Sequence, residues 1–225
     1  MRIGLLECDH VDDRLVAIDG DYCDMFANLL DVELVHYDAV NGVLPATPDE
    51  CDGWLATGSR FSVYDDSAWI AALQGFVRDV ARSDAPYVGI CFGHQLLAHA
   101  LGGRTEKAAV GWGVGAIDTT IDATGADAPL LYLHQDQVVA VPDGGIVLGR
   151  ADHCPIAAFQ TGAMLGVQAH PEFSVEYLDA LLDARVDRIG PELTARAKAS
   201  LERVADRKDA ETIGDWIVEF FEARG

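Results

Sequence analysis

The chain has 225 residues, 37 acidic against 16 basic side chains, a formal net charge of −21, and half of its residues hydrophobic. That length and apolar content suffice for a sizeable core in one domain spanning 1–225, and they exclude a disordered acidic tail. Nucleic acid is not an expected partner: neutralising phosphates needs a basic face, and only three lysines (Lys107, Lys198 and Lys208) are present.

The cysteines (Cys8, Cys23, Cys51, Cys91 and Cys154) are odd in number and show no CxxC pairing. That argues against a disulfide framework or a zinc site, so no metal and no cofactor are expected. No charged-then-apolar leader opens the chain and no apolar run approaches ~18 residues, so neither secretion nor a membrane span is indicated. A reducing cytoplasm is the expected compartment. Acid is spread along the whole chain, which suits a salty, halophilic cytoplasm that screens self-repulsion; an ordinary acidic protein is the alternative.

In chain order, Arg2 to Glu7 reads as a buried strand, Tyr22 to Leu30 as a helix and Val32 to Tyr37 as a short strand. Pro45 and Pro48 mark a loop. Cys51 to Thr57 reads as a third strand ending in Gly58-Ser59, with a helix from about Ser67 to Ala81. The apolar run Pro86 to Ile90 then delivers Cys91, and a helix face follows until Gly102-Gly103. Such alternation implies parallel βαβ crossovers, with sites beyond the carboxyl ends of the strands. From Ala108 to Ile121 the pattern resembles β-ribbon, with Gly111, Gly113 and Gly115 as bends or bulges. Ile146 to Leu148, Ile156 to Gln160 and Leu165 to Gln168 read as strands. Helices fill about 174–225: one capped by Ser174 with a Phe173–Leu178 staple, a polar one from Pro191 to about Val204, and a closing one striped by Ile213, Trp216, Ile217, Phe220 and Phe221.

Gly89-Ile90-Cys91-Phe92-Gly93 is a strand–turn–helix with glycines two residues either side of a thiol, the cysteine form of a nucleophile elbow. At a helix N-terminus the macrodipole favours thiolate. A buried structural cysteine is the competing reading. A nucleophile needs a base, and the base needs an orienting acceptor. His94 and His99 sit on the helix after the cysteine and point away from it; His10, His36 and His153 carry no partner signature. His170 ends an apolar strand and is followed by Pro171-Glu172, so a strand-end imidazole with a carboxylate two residues on could meet Cys91 in one crevice.

Gly89 to Gly103 together with Gln168-Ala-His-Pro-Glu-Phe173 resembles the class I (triad) glutamine amidotransferases, most closely the branch containing the amidotransferase part of GMP synthase. Thr57-Gly58-Ser59, Ser62 to Asp65 and His134 to Val138 add to the likeness. The resemblance implies a flavodoxin-like α/β fold: a mixed, mostly parallel central sheet with helices on both faces. It implies Cys91 as nucleophile, His170 as acid and base, and Glu172 as the orienting carboxylate. It further implies an oxyanion hole from Gly58, Ser59 and Phe92, and substrate contacts from Gln95, His134 and Asp136. The implied activity is hydrolysis of the glutamine side-chain amide, with ammonia passed to a separate ATP-dependent synthetase. A stand-alone hydrolase of γ-glutamyl peptides or conjugates is the alternative. Gly58-Ser59-Arg60 replaces the family's usual Gly-Gly-Pro, so the second oxyanion donor carries a side chain. The chain also lacks a phosphate loop for using the ammonia, and its C-terminal helices exceed those of a minimal amidotransferase domain.

Overall fold

The computed structural model describes residues 1–204 and 208–224; residues 205–207 and 225, within the expected C-terminal helical stretch, lie outside the described residues. Apart from the short helix α1, which the sequence did not indicate, the first half alternates as expected: β1 (Arg2–Leu6), α1 (Val16–Asp19), α2 (Tyr22–Leu29), β2 (Glu33–Tyr37), β3 (Gly53–Ala56), α3 (Ala68–Ser83), β4 (Tyr87–Ile90) and α4 (Phe92–Ala100). Asp21 and Asp24 close a capping box on α2. Helix α3 buries Ile70, Leu73, Val77 and Val80, spaced three and four residues apart on one face. Strands β3 and β4 are buried at every position, as a parallel sheet covered on both faces requires.

The second half contains β5 (Arg104–Lys107), β6 (Gly113–Ile121), β7 (Ala126–His134), β8 (Asp136–Ala140), β9 (Ile146–Ala151), β10 (Ala158–Thr161) and β11 (Met164–Val167). Helices α5 (Val175–Ala184), α6 (Val186–Ile189), α7 (Pro191–Ser200) and α8 (Lys208–Glu222) follow. Nine strands form one sheet in the order β2-β1-β3-β4-β11-β10-β9-β6-β7; β5 and β8 pair separately. From the pairings, β6 and β10 run against the other seven strands of that sheet. The sheet is therefore mixed and mostly of one direction, the fold class expected.

Alternation along each strand sends residues to two apolar layers. Leu6, Trp54, Ala56 and Tyr87 pack with α3 and α4. Ile3, Leu5, Leu55, Val88 and Ile90 pack with Ile213, Ile217 and Phe221 of α8. Of the expected α8 stripe only Trp216 is half-buried; the rest is core. Ser174 caps α5 as expected, its Oγ accepting from the Tyr177 N–H at 2.9 Å. No described helix is long and apolar enough to cross a membrane.

Three features depart from the sequence reading. Strand β7 was not indicated, because Pro129 in its middle cannot donate to a ladder; the sheet accommodates it by placing β7 at the edge, with Pro129 opposite Asp118. The small β5–β8 pair is likewise unforeseen, built from the polar segment Arg104 to Lys107. Gly113 and Gly115 are not bulges, since β6 and β7 keep unbroken register from Gly113 to Ile121. Gly115 instead takes φ +89° where α7 crosses so closely that a Cβ would overlap Ala197 and Ser200.

The pairing that matters most is β11 beside β4, parallel, with Val167 opposite Ile90. It brings two segments distant in sequence together at the carboxyl ends of two central strands. Gly89 and Gly93 make the reversal between β4 and α4 sterically possible: a Cβ at Gly89 would overlap the Gly93 carbonyl, and one at Gly93 the Ala56 carbonyl. Gly93→Ala is expected to destabilise the fold by about 1–3 kcal/mol or more through overpacking, read as a lower urea midpoint. A wild-type midpoint would contradict this packing.

Candidate active site

Cys91 sits where β4 ends and α4 begins, only 4 % exposed, with φ 50° and ψ −97°. Asp84 is the other described non-glycine residue with positive φ, and its ψ of 19° makes it an ordinary left-handed helix cap. Cys91 belongs to no such basin. Backbone held in a sparsely populated region costs roughly 1–3 kcal/mol and persists where the surroundings over-determine it. Here they do: the Cys91 N–H donates to Val167 O at 2.8 Å, its carbonyl accepts from Gln95 N–H at 3.0 Å, and the Gly93 N–H donates to Thr57 O at 3.2 Å.

His170 lies three residues beyond the end of β11 and is 4 % exposed. Its backbone N–H donates to Leu131 O at 2.8 Å, tying it to β7. The ring stacks on Phe173 with centroids 4.0 Å apart and planes 6° apart. Nδ1 lies 2.7 Å from Oε1 of Glu172, itself 2 % exposed. A carboxylate only accepts, so this bond assigns a proton to Nδ1 and leaves Nε2 as the ring nitrogen not engaged by Glu172. Burial is the largest single influence on His170 and pushes it down. The charges of Glu172 and Cys91 and their hydrogen bonds together outweigh burial and carry it up to about 10. The structure thus gathers the three expected residues in one buried cluster, with His170 bonded to Glu172 and both His170 and Cys91 packed against Gly58.

Of the residues expected as oxyanion donors, Gly58 packs against Cys91 and His170, Ser59 follows it and Phe92 follows Cys91 in the chain. A Cβ on Gly58 would stand 2.7 Å from His170 Cε1 and 3.7 Å from Cys91 Cβ, so only glycine fits between the loop and the imidazole. Among the described residues the N–H groups of Gly58 and Ser59 donate to no partner. Phe92 opens α4, where an N–H has no intrahelical acceptor. The Ser59 side chain is turned into its own loop, its Oγ accepting from Phe61 N–H at 3.3 Å. Arg60 holds that loop down: its backbone N–H and Nε donate to the buried Asp9 carboxylate at 2.8–2.9 Å, and Nη2 to His10 O at 2.7 Å.

The three expected substrate contacts are more committed to the protein than the resemblance implies. Gln95 donates through Nε2 to Asp136 O at 2.7 Å and to Gln168 Oε1 at 3.1 Å. Asp136 accepts from Ser62 Oγ and, at 2.9 Å, from Tyr64 OH. His134 donates from Nδ1 to Asp136 O at 2.9 Å, and burial pushes it down to about 3. Gln95, His134 and Asp136 still line a cleft of about 70 Å³ that opens at Cys91, along with Ser59 to Ser62, Trp112, Gln135, Arg185 and Arg188. Trp112, Arg185 and Arg188 were not found by sequence reasoning, and Gln135 only as a member of the His134 to Val138 block. Arg185 and Arg188 had one available signal, two arginines three apart directly after the apolar face of α5 in a chain poor in bases.

Of the other histidines, His94 is fully buried against Phe159 at 5.1 Å, and burial pushes it down to about 3. His10 and His36, given no partner by the sequence, both meet acids: His36 Nε2 is 2.5 Å from the buried Glu7, and His10 bridges Asp21 and Asp38 at 2.9 and 3.2 Å. Burial first, then Asp21, raise Glu7 above the ordinary carboxylate range.

Comparison with known proteins agrees with this architecture. Residues 27–183 match the family described as Glutamine amidotransferase class-I. Gamma-glutamyl peptidase 5 of Arabidopsis thaliana is 27% identical over 215 residues, covering 86% of each chain. A subunit of the glutamine-hydrolyzing GMP synthase of Halobacterium salinarum is 33% identical over 156 residues, covering 64% of this chain and 79% of that one. Among solved structures, a glutamine amidotransferase from Thermotoga maritima superposes with a TM-score of 0.74 at 18% identity, covering 100% of this chain and 97% of that one. One from Methylobacillus flagellatus gives 0.72 at 19%, covering 98% and 94%. By the match over residues 27–183, the chain belongs to the class I glutamine amidotransferase family.

Proposed function

We propose that this chain hydrolyses the side-chain amide of a γ-glutamyl substrate through a thioester on Cys91. The observation that carries the proposal is the buried cluster in which the His170 imidazole is bonded to Glu172 and stands with Cys91 against Gly58. In the reaction, the Cys91 thiol proton passes to His170 Nε2, Sγ attacks the carboxamide carbon, and the carbonyl oxygen becomes an oxyanion facing the N–H groups of Gly58, Ser59 and Phe92. Such donors are typically worth about 3–4 kcal/mol each. As the C–N bond breaks, His170 gives its Nε2 proton to the departing nitrogen. It then takes a proton from water, the hydroxide attacks the thioester, and glutamate leaves with the sulfur restored. Glu172 keeps Nδ1 protonated and steadies the imidazolium throughout.

The leaving group distinguishes two physiological settings. With glutamine it is ammonia, for which a separate ATP-dependent synthetase is the natural consumer; the Halobacterium relative is by its name one part of a glutamine-hydrolysing synthase. With a γ-glutamyl peptide or conjugate it is an amine and no partner is needed; the Arabidopsis relative, matched over 86% of its length, is by its name a peptidase. The five free thiols suit a reducing cytoplasm. The acidic surface suits molar salt, so assays belong in molar as well as dilute salt.

Glutamate release from glutamine and from γ-glutamyl dipeptides tests the proposal. Cys91→Ala is expected to abolish it, and His170→Asn to lower kcat about 10²–10⁴-fold. Turnover surviving Cys91→Ala overturns the assignment. The imidazole gives a separate readout. Because its folded-state value lies above 6.5, the pair stabilises the fold fully below that pH, and the contribution is lost as pH rises toward 10. The stability gap between wild type and Glu172→Gln should be widest near about pH 5–6 and shrink as pH climbs. A gap that grows with pH would contradict the raised imidazole.

A further inference from the structure

We propose that Arg185 and Arg188 form a carboxylate subsite for the leaving-group half of the substrate, selecting γ-glutamyl conjugates whose amine portion carries an acid. This deepens the hydrolase reading above and rests on it.

Two clefts meet at these arginines. The one holding Cys91 is continued by a second, of about 160 Å³, and Arg60, Arg185 and Arg188 line both. The second cleft holds no residue of the proposed triad; Tyr22, Tyr177 and Leu181 form much of its wall. It therefore accommodates a part of the substrate away from the reacting carbon. The Cys91 cleft has Ser59 and Gln135 for the glutamyl unit. What extends past the arginines is the group beyond the scissile bond.

The charges point to an anion. Arg60 is neutralised by Asp9 and Arg14 by Asp12. Among the described residues neither the Arg185 nor the Arg188 guanidinium makes an ion pair or hydrogen bond, in a chain with 37 acids. Acid is at hand on the same stretch: Asp183 pairs with Lys198 instead, and Asp187, between the two arginines, pairs with neither. Arg188 is held in place without being neutralised, its guanidinium 5.8 Å from the centroid of the Trp112 ring. A guanidinium fork so held fits a carboxylate with two parallel hydrogen bonds. Both arginines also lie just past the 27–183 family match, Arg185 directly after α5 and Arg188 in α6. Free glutamine has no carboxylate beyond its scissile bond, whereas a γ-glutamyl amino acid does.

Two substrates that differ only in that group decide the matter: γ-glutamyl-glycine and γ-glutamyl-glycinamide, with glutamate release as the readout. The wild-type chain should favour the acid by about 10-fold or more in kcat/KM, chiefly through KM. In the Arg185→Gln/Arg188→Gln double variant the ratio should fall to about one, with Arg188→Lys between. A wild-type ratio near one, or a preference that survives the double variant, overturns the subsite. So does an equal loss on both substrates, which would assign the arginines to the α-carboxylate instead. Should a variant fail to fold, the wild-type ratio alone still decides. If neither compound nor glutamine yields glutamate, the hydrolase reading falls and the subsite with it.

Discussion

The structure depends on one strained residue. Cys91 is held at φ 50°, ψ −97° where a fully buried strand reverses into a fully buried helix start. That conformation lifts the sulfur out at the carboxyl end of β4 and leaves the first N–H of α4 unpaired beside it. Its cost is met by ladder bonds to Val167 and Thr57 and by the two glycines that let α4 fold back over β4. Neighbouring β11, in register with β4, then brings His170 to the same end of the sheet. Sheet pairing and elbow strain together set the geometry of the proposed reaction.

Around this point the polar groups act mostly as scaffold. Asp136 ties Ser62 and Tyr64 to the loop after β7, and Gln95 anchors the same loop to α4. Arg60, standing where the family usually has proline, is fixed on buried Asp9 and pins the Gly58-Ser59 turn by ion pairing rather than by ring rigidity. In the proposed mechanism the oxyanion loop is thus held by charge, and the Ser59 side chain is kept out of the way by its own turn. Cations are scarce: among the described residues seven arginines pair with acids, while Arg185 and Arg188 at the cleft do not.

Much of this was legible in the sequence for identifiable reasons. The elbow at Cys91, the parallel first half and the Ser174 cap each follow from local pattern, because elbows, buried strands and caps demand particular residue types at fixed spacing; His170 and Glu172 were singled out chiefly by the family resemblance. Strand β7 was hidden by Pro129, whose missing N–H is harmless only at an edge that a single sequence does not reveal. Gln95 and Asp136 were read as substrate contacts; their bonds to Gln168, Ser62 and Tyr64 were not legible, since a polar side chain near a nucleophile looks the same whether or not it also bonds the protein. Arg185 and Arg188 were passed over because they follow an amphipathic helix, where a solvated arginine is the ordinary reading.

The central claim is that a γ-glutamyl group rides on one sulfur during turnover. Mass spectrometry of the intact chain, acid-quenched during steady-state hydrolysis and then digested, tests it directly. The account predicts a single glutamyl adduct on the peptide containing Cys91, removed by hydroxylamine. Sustained glutamate production with no adduct there, or with the adduct on Cys8, Cys23, Cys51 or Cys154, would contradict it.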